Sequence, residues 1–215
     1  FISGRQYESY YTDPLPRPEK LILQFVGSEI EGFAQALERA ADFPVAGFDI
    51  NMGCSARQIW GIGGGIAWME QPEQAKTLVE TLRPLVKKGK TLSVKLRLGL
   101  EENPDYLKRF CLGLQDAGAD FLTLHPRTRK DTLSRPSRWN HLKQLRQELQ
   151  IPLWGNGDIK DLESARAAAG TGAASLMIGR EAVRSPWIFH WIREKNLNPA
   201  YTLRVDLQAE AEKFY

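Results

Sequence analysis

Cys54 closes the run Phe48-Asp49-Ile50-Asn51-Met52-Gly53-Cys54, in which a short apolar segment gives way to an amide, a glycine and a thiol. A cysteine at the mouth of a strand, close to an asparagine and a glycine-rich stretch, is placed for chemistry. Cysteines also serve as small buried fillers, so position alone does not decide between chemistry and packing. Recurrence tips the balance. Gln24, Lys95 with Arg97, His125 with Arg127, Asn156 with Asp158, and Gly179 with Arg180 each end or follow an apolar segment in the same way. The last two stretches, Gly155-Asn156-Gly157-Asp158 and Ile178-Gly179-Arg180, suit a phosphate group. Their glycines let backbone N–H groups approach closely, and Arg180 adds a charge-assisted contact. Gly61-Ile62-Gly63-Gly64-Gly65 follows no continuous strand, so it is no dinucleotide fingerprint and reads as a mobile or closely packed loop beside the site. Cys111, in Phe110-Cys111-Leu112, reads as structural, His141 and His190 read as surface or packing residues, and no metal-ligand spacing is present.

The elements that must carry these residues alternate. Strands are expected at Leu21–Val26, Ala46–Asn51, Thr91–Arg97, Phe121–His125, Ile151–Gly155 and Ala174–Ile178. Helices are expected between them at Glu29–Ala41, Pro72–Val86, Pro104–Ala117, Ser137–Leu149 and Asp161–Ala169. Pro72 and Pro104 stand where a first-turn proline belongs, and Gly118 and Gly170 where helices stop. Nearly continuous apolar strands at regular spacing predict βα units around a parallel sheet covered on both faces. A TIM barrel, (β/α)8, accounts for six successive strands ending in polar groups, since its active site lies at the strands' C-terminal ends. An open doubly wound sheet would gather its site at a single switch point.

Composition sets wide limits. The 215 residues are 42% hydrophobic, enough to bury the core of one large domain with a small appendage. No apolar run is long enough to span a bilayer, and Phe1 to Tyr11 lacks the order of a signal peptide. Two cysteines far apart in sequence suggest free thiols in a reducing, cytoplasmic setting. A net charge of +3 permits an anionic partner without requiring one. Arg127, Arg129, Lys130, Arg135 and Arg138 concentrate positive charge in one loop with Asp131 alone opposing them; such a cluster could meet RNA phosphates or be a solvated face.

The motifs in their order resemble the flavin-dependent tRNA-dihydrouridine synthases. The resemblance is carried by Gln24 with Gly27, by Asp49-Ile50-Asn51-Met52-Gly53-Cys54, and by Gly63-Gly64-Gly65 followed by Pro72. It continues through Val94-Lys95-Leu96-Arg97, His125-Pro126-Arg127-Thr128, Gly155-Asn156-Gly157-Asp158, Met177-Ile178-Gly179-Arg180 and Pro186-Trp187. It implies a barrel carrying FMN that reduces particular uridines of tRNA, with NADPH restoring the flavin. Cys54 matches the family's catalytic cysteine, the proton donor to carbon 5 of the uracil, and Asn51 a residue that holds the uracil beside it. Lys95 matches the lysine at the flavin's pyrimidine edge, and Gln24 and His125 match further flavin contacts. Asn156, Gly157, Gly179 and Arg180 match the phosphate cradle, with Asp158 in the same loop. Arg127 matches a residue that meets either the flavin phosphate or the tRNA.

The chain departs from the family pattern at Ser55 (usually proline), at Pro126 (usually glycine) and near Leu133 (often tyrosine). The resemblance also implies a catalytic barrel domain over residues 1–188, lacking its first strands before a segment like Phe1-Ile2-Ser3, and the beginning of a helical tRNA-binding domain over 189–215. Two other readings stay open at this stage. One is an FMN barrel oxidoreductase acting on a free pyrimidine, similar to dihydroorotate dehydrogenase. The other is a non-catalytic RNA-binding barrel.

Overall fold

Six apolar segments pair side by side in sequence order. In the computed structural model, which describes residues 17–132 and 134–203, they are β1 (Ile22–Phe25), β2 (Gly47–Met52), β3 (Thr91–Leu96), β4 (Phe121–Leu124), β5 (Leu153–Asn156) and β6 (Ser175–Met177). Every neighbouring pair is parallel, in the order β1-β2-β3-β4-β5-β6. Strictly sequential order has no switch point, which makes this the arc of an α/β barrel rather than a doubly wound sheet. Phe1-Ile2-Ser3, Leu133 and residues 204–215, on which some of the expectations fall, lie outside the described residues.

The helices are α1 (Ile30–Ala40), α2 (Arg57–Gly61), α3 (Pro72–Leu82), α4 (Pro104–Asp116), α5 (Trp139–Glu148), α6 (Leu162–Ala169), α7 (Arg180–Arg184) and α8 (Ile188–Leu197). Their starts follow local chemistry. Pro72 and Pro104 open α3 and α4, where a missing N–H costs nothing. The Asn103 side chain caps α4 by accepting the Tyr106 N–H, and Asp161 with Ser164 closes a capping box on α6. The helix expected over Pro72–Val86 ends instead at Leu82 and tightens into a 3-10 turn over Arg83–Leu85. Pro84 has no N–H to continue an α-helical ladder.

Alternation along the strands separates two faces. Phe48, Ile50 and Met52 of β2, with Leu92, Val94 and Leu96 of β3 and Leu122 and Leu124 of β4, form one buried core with Leu37, Leu78, Leu82, Phe110 and Leu114 from the helices. The opposite face holds Gln24, Asp49, Asn51, Ser93, Lys95 and Thr123, aligned by register as Gln24↔Asp49↔Ser93 and Asn51↔Lys95↔Thr123. At their C-terminal ends the strands are therefore apolar toward the helices and polar toward the barrel interior. Lower on that inner face Phe121 stacks on Trp154 with ring centroids 4.3 Å apart. α8, at the start of the segment assigned from sequence to a second domain, docks on α6. Ile192 packs near Ala165 and Ala168, and Arg166 donates to the Asn196 side chain.

Candidate active site

β2 ends at Met52, and the chain turns at once to bring Cys54 over the barrel mouth. The turn is held by Asn51, whose Oδ1 accepts the N–H groups of Gly53 (3.0 Å) and Cys54 (2.8 Å). This is the local side-chain-to-backbone bonding that makes Asn a turn residue. One further N–H of the amide goes to Gln24 Oε1 at 2.8 Å. The carbonyl of Asn51 is thus spent on the loop, and one N–H remains for a substrate. The Cys54 sulfur is partly exposed and free of any disulfide. Cys111, by contrast, is fully buried in α4, and burial pushes its thiol up, as a structural residue requires.

The glycine-rich stretch is exposed at Gly61 and Ile62 and closely packed at Gly64 and Gly65. Residues 65 to 69 are buried in a 3-10 turn, and the Ile66 N–H donates to the Cys54 carbonyl. Gly65 has φ +57°, and a Cβ there would stand 2.5 Å from the Cys54 oxygen and 2.9 Å from the Cys54 Cβ. Only glycine lets this turn press against the cysteine loop. The Trp68 indole N–H donates to the Gly27 carbonyl and fastens the same turn to the end of β1.

Lys95 sits beside Asn51 in register and points to the same interior face. Its ammonium finds no hydrogen-bond acceptor among the described residues. Burial, with Arg97 nearby, lowers its proton affinity, while Asp49 pulls the other way. Next along the rim, His125 accepts from Arg127 at Nε2 (3.0 Å), which leaves its proton on Nδ1. Burial above all, then the positive charges of Arg97, Lys95 and Arg127, push its pKa down from 6.5 to about 3. The imidazole is neutral across the physiological range.

Beyond His125 opens a cavity of about 460 Å³ at the ends of β5 and β6. Asn156, Gly157, Asp158, Gly179 and Arg180 line it, as the sequence places them, and Lys160 and Arg184 join them. Asn156 donates to the Met177 carbonyl and ties the two strand ends together. Gly157, at φ +119°, lies so close to His125 and Ser137 that no side chain fits. Gly179 has open space over its α-carbon. The helix that follows, α7, is a single short stretch of five residues, so the positive charge here comes mainly from Arg180, Arg184 and Lys160.

Asp158 lines this cavity and is also paired with Arg127. Arg127 is 1% exposed, and its Nη2 donates to both carboxylate oxygens of Asp158, at 2.9 and 2.8 Å. Its Nε donates to the Arg135 carbonyl. Asp158 also accepts the Ser137 N–H and a longer bond from Arg180. Burial alone would raise the Asp158 pKa; these bonds hold it low instead. The pair braces the loop over 126–138 against the cavity wall.

That loop is not the unopposed basic rim its composition suggests. Asp131 accepts from Thr128, Arg135 and Arg138, Lys130 pairs with Glu101, and Arg138 also pairs with Glu102. Glu102 further binds His141, a buried packing residue. Arg129 lies with its guanidinium 3.8 Å over the Trp60 ring. Of these partners the sequence shows Asp131 alone, and it assigns no role to Asp49. That carboxylate is 5% exposed and accepts from Ser93 and Gln24. The signal was available: Asp49 stands two residues before Asn51 and so shares its face of the strand.

The strand order and the polar mouth define an α/β-barrel protein whose reactive groups stand at the C-terminal ends of its strands. Solved structures agree on the fold. QR15, an aldolase, superposes with a TM-score of 0.62 at 15% identity, covering 87% of this chain and 80% of that one. A DHODH from Eimeria tenella superposes at 0.61 with 14% identity, covering 79% and 53%. The profile of the family "Dihydrouridine synthase (Dus)" matches residues 2–214, and the chain belongs to that family. The "Probable tRNA-dihydrouridine synthase 1" of Synechocystis sp. is 35% identical over 174 residues, 80% of this chain and 48% of that protein. The "tRNA-dihydrouridine(16) synthase" of Vibrio parahaemolyticus is 31% identical over 194 residues, 89% of this chain and 60% of that protein. A Mus musculus protein named as a "tRNA-dihydrouridine(47) synthase NAD(P)(+)-like" is 34% identical over 163 residues, 75% of this chain and 25% of that protein. The chain thus spans about half the length of the bacterial relatives it matches.

Proposed function

We propose that the protein reduces uridine in tRNA to 5,6-dihydrouridine, using FMN that NADPH reduces, with Cys54 as the proton donor. The observation that carries the reading is the grouping of Cys54, Asn51 and Lys95 at the C-terminal end of neighbouring strands, Asn51 and Lys95 being a register pair and Asn51 holding the Cys54 loop. Membership of the dihydrouridine synthase family and the names of its relatives support it. No helix among the described residues is long and apolar enough to cross a membrane. The free thiols fit the reducing cytoplasm where we place the enzyme.

The residues present fit an FMN. The partly buried Lys95 ammonium has no hydrogen-bond acceptor among the described residues, and a flavin ring that gains negative charge on reduction would supply one. Arg180, Arg184 and Lys160 around the open Gly179 suit its phosphate, with Asn156 and Gly157 shaping the wall. Gln24 and the neutral His125 offer hydrogen bonds along the way. Asp158 contributes indirectly, holding Arg180 and Arg127 in place. When bound, FMN supplies the hydride that adds to carbon 6 of the uracil.

The chain's own groups do the rest. Cys54 gives the thiol proton to carbon 5 and is reprotonated from solvent, so the pyrimidine gains two hydrogens across one double bond. Asn51 fixes the thiol's loop and keeps one N–H for the base. The base must leave the RNA stack to reach Cys54. The Arg129–Trp60 stack offers a cationic, flat surface beside the mouth.

The test is spectroscopic. Flavin absorbance of the purified protein should bleach with NADPH and recover on addition of unmodified tRNA. The recovery should vanish in Cys54→Ala while the bleaching remains. Recovery with a free pyrimidine and none with tRNA would reassign the substrate, and a protein that never holds flavin would overturn the reading.

A further inference from the structure

Asp49 is the buried charge on the inner face of β2 that the chemistry above leaves unused, and a chain of hydrogen bonds runs from it to Cys54. Asp49 Oδ1 accepts from Ser93 Oγ at 2.6 Å, and Oδ2 accepts from Gln24 Nε2 at 2.7 Å. Gln24 Oε1 accepts from Asn51 Nδ2 at 2.8 Å. Asn51 Oδ1 then accepts the backbone N–H groups of Gly53 and Cys54. The register of β1, β2 and β3 makes the chain possible, because Gln24, Asp49 and Ser93 stand directly abreast.

Each link has a direction, and the two ends dictate it. Burial raises the Asp49 pKa, against the bonds from Ser93 and Gln24 and the pull of Lys95; as a carboxylate it only accepts, so Gln24 turns its nitrogen to Asp49 and its oxygen to Asn51. A backbone N–H only donates, so Asn51 must turn its oxygen to the loop and its nitrogen to Gln24. Both requirements select the same pair of amide orientations. Orientation is otherwise weakly specified, because a flipped amide keeps almost the same shape. Were Gln24 to flip, its N–H₂ would face the N–H₂ of Asn51, and Asn51 would be driven off the cysteine loop.

We propose that Asp49 is a positioning residue: through Gln24 and Asn51 it sets the conformation of the loop that carries Cys54, and hence where the thiol meets its substrate. The proposal rests on the reading of Cys54 as proton donor for its consequence in turnover, but the loop geometry itself can be measured apart from that reading. Asp49 being fully enclosed, its carboxylate acts as a fixed acceptor and touches no reactant.

The experiment compares Asp49→Ala, Asp49→Asn and Gln24→Glu in the natural full-length protein, by amide hydrogen exchange and by turnover on unmodified tRNA. Asp49→Ala removes the acceptor and should speed exchange at Gly53 and Cys54 by about tenfold, the loss of about one net hydrogen bond, while α4 amides stay as in the wild type. Turnover should fall by about tenfold or more with KM for tRNA little changed, the mark of a misplaced reactive group. Asp49→Asn should restore both readouts to within about threefold. Its oxygen can still face Gln24, and its nitrogen can donate to Ser93 Oγ, whose own proton has the Phe48 carbonyl within reach. Gln24→Glu, which sets a second carboxylate against Asp49, should resemble Asp49→Ala. If Asp49→Ala does not fold, the contrast between Asp49→Asn and Gln24→Glu decides. Unchanged exchange at Gly53 and Cys54 in Asp49→Ala or Gln24→Glu would overturn the proposal. So would an Asp49→Asn protein as impaired as Asp49→Ala, which would assign the role to the charge near Lys95 instead. A wild-type protein inactive on tRNA would refute the proposed function and leave the exchange comparison intact.

Discussion

Gly157 and Gly179 match the same phosphate cradle in sequence, yet the structure predicts opposite outcomes for an added methyl group. Gly157 has φ +119°, a region that L residues occupy at a cost of about 1–3 kcal/mol. A Cβ there would stand 2.4 Å from Ser137 Oγ and 2.7 Å from His125 Cδ2. Relieving such overlap in a packed site costs about 1–3 kcal/mol more. Neither neighbour can withdraw freely, since His125 is held by Arg127 and the Ser137 backbone by Asp158. Gly157→Ala should therefore destabilise the protein by about 4 kcal/mol, which lowers Tm by roughly 8–16 °C in a domain of this size. Gly179 has nothing within 4 Å of its would-be Cβ, and Gly179→Ala should stay within about 0.5 kcal/mol of the wild type. Thermal unfolding of the flavin-free proteins reads the difference directly, and flavin titration shows whether His125 has moved. Two variants with equal Tm would refute the argument that one glycine is required by packing and the other by ligand access.

Two further outcomes follow from charge and burial. Lys95→Met removes a partly buried ammonium with no hydrogen-bond acceptor among the described residues, so flavin affinity should fall by at least about tenfold, while the flavin-free protein, which loses the burial cost of the charge and its attraction to Asp49 together, should stay within about 1 kcal/mol of the wild type; flavin titration and thermal unfolding check the two, and an unchanged flavin affinity would contradict a place for Lys95 at the flavin. His125 stays neutral in the folded protein down to about pH 3, whereas the unfolded chain binds its proton below about 6.5. Its contribution is present above pH 6.5 and is lost as pH falls toward 3, at about 1.4 kcal/mol per pH unit. Urea unfolding at pH 7 and pH 5 should show the wild type losing about 2 kcal/mol more than His125→Gln, and parallel losses would mean that the imidazole titrates normally.

Much of the architecture is legible in the residues themselves. The alternation of apolar runs with helical periodicity, the prolines at Pro72 and Pro104, and the caps at Asn103 and Asp161 are local signals, set by neighbours within one turn or one strand. The same holds for the candidate site: a polar residue following each apolar run is a statement about strand ends, and all of Gln24, Asn51, Cys54, Lys95, His125, Asn156 and Arg180 fall at one end of the sheet. The early end of α3 was readable too, in Pro84.

What the sequence could not decide is which charges meet. Arg127 and Asp158 lie 31 positions apart, and only the fold brings them into one ion pair. The basic run of that loop is neutralised by Asp131, Glu101 and Glu102, two of them delivered from the neighbouring β3 loop. Asp49 joins Gln24 and Ser93 only because three strands stack in one register. Periodicity along a chain is governed by residues three or four positions away, so it survives in the sequence as a pattern. Pairing through space depends on how helices and strands pack, on registers fixed by the whole core, and on which groups that packing shuts away from water. Those terms joined Arg127 to Asp158 and Asp49 to Gln24 and Ser93, and they exist only in the folded barrel.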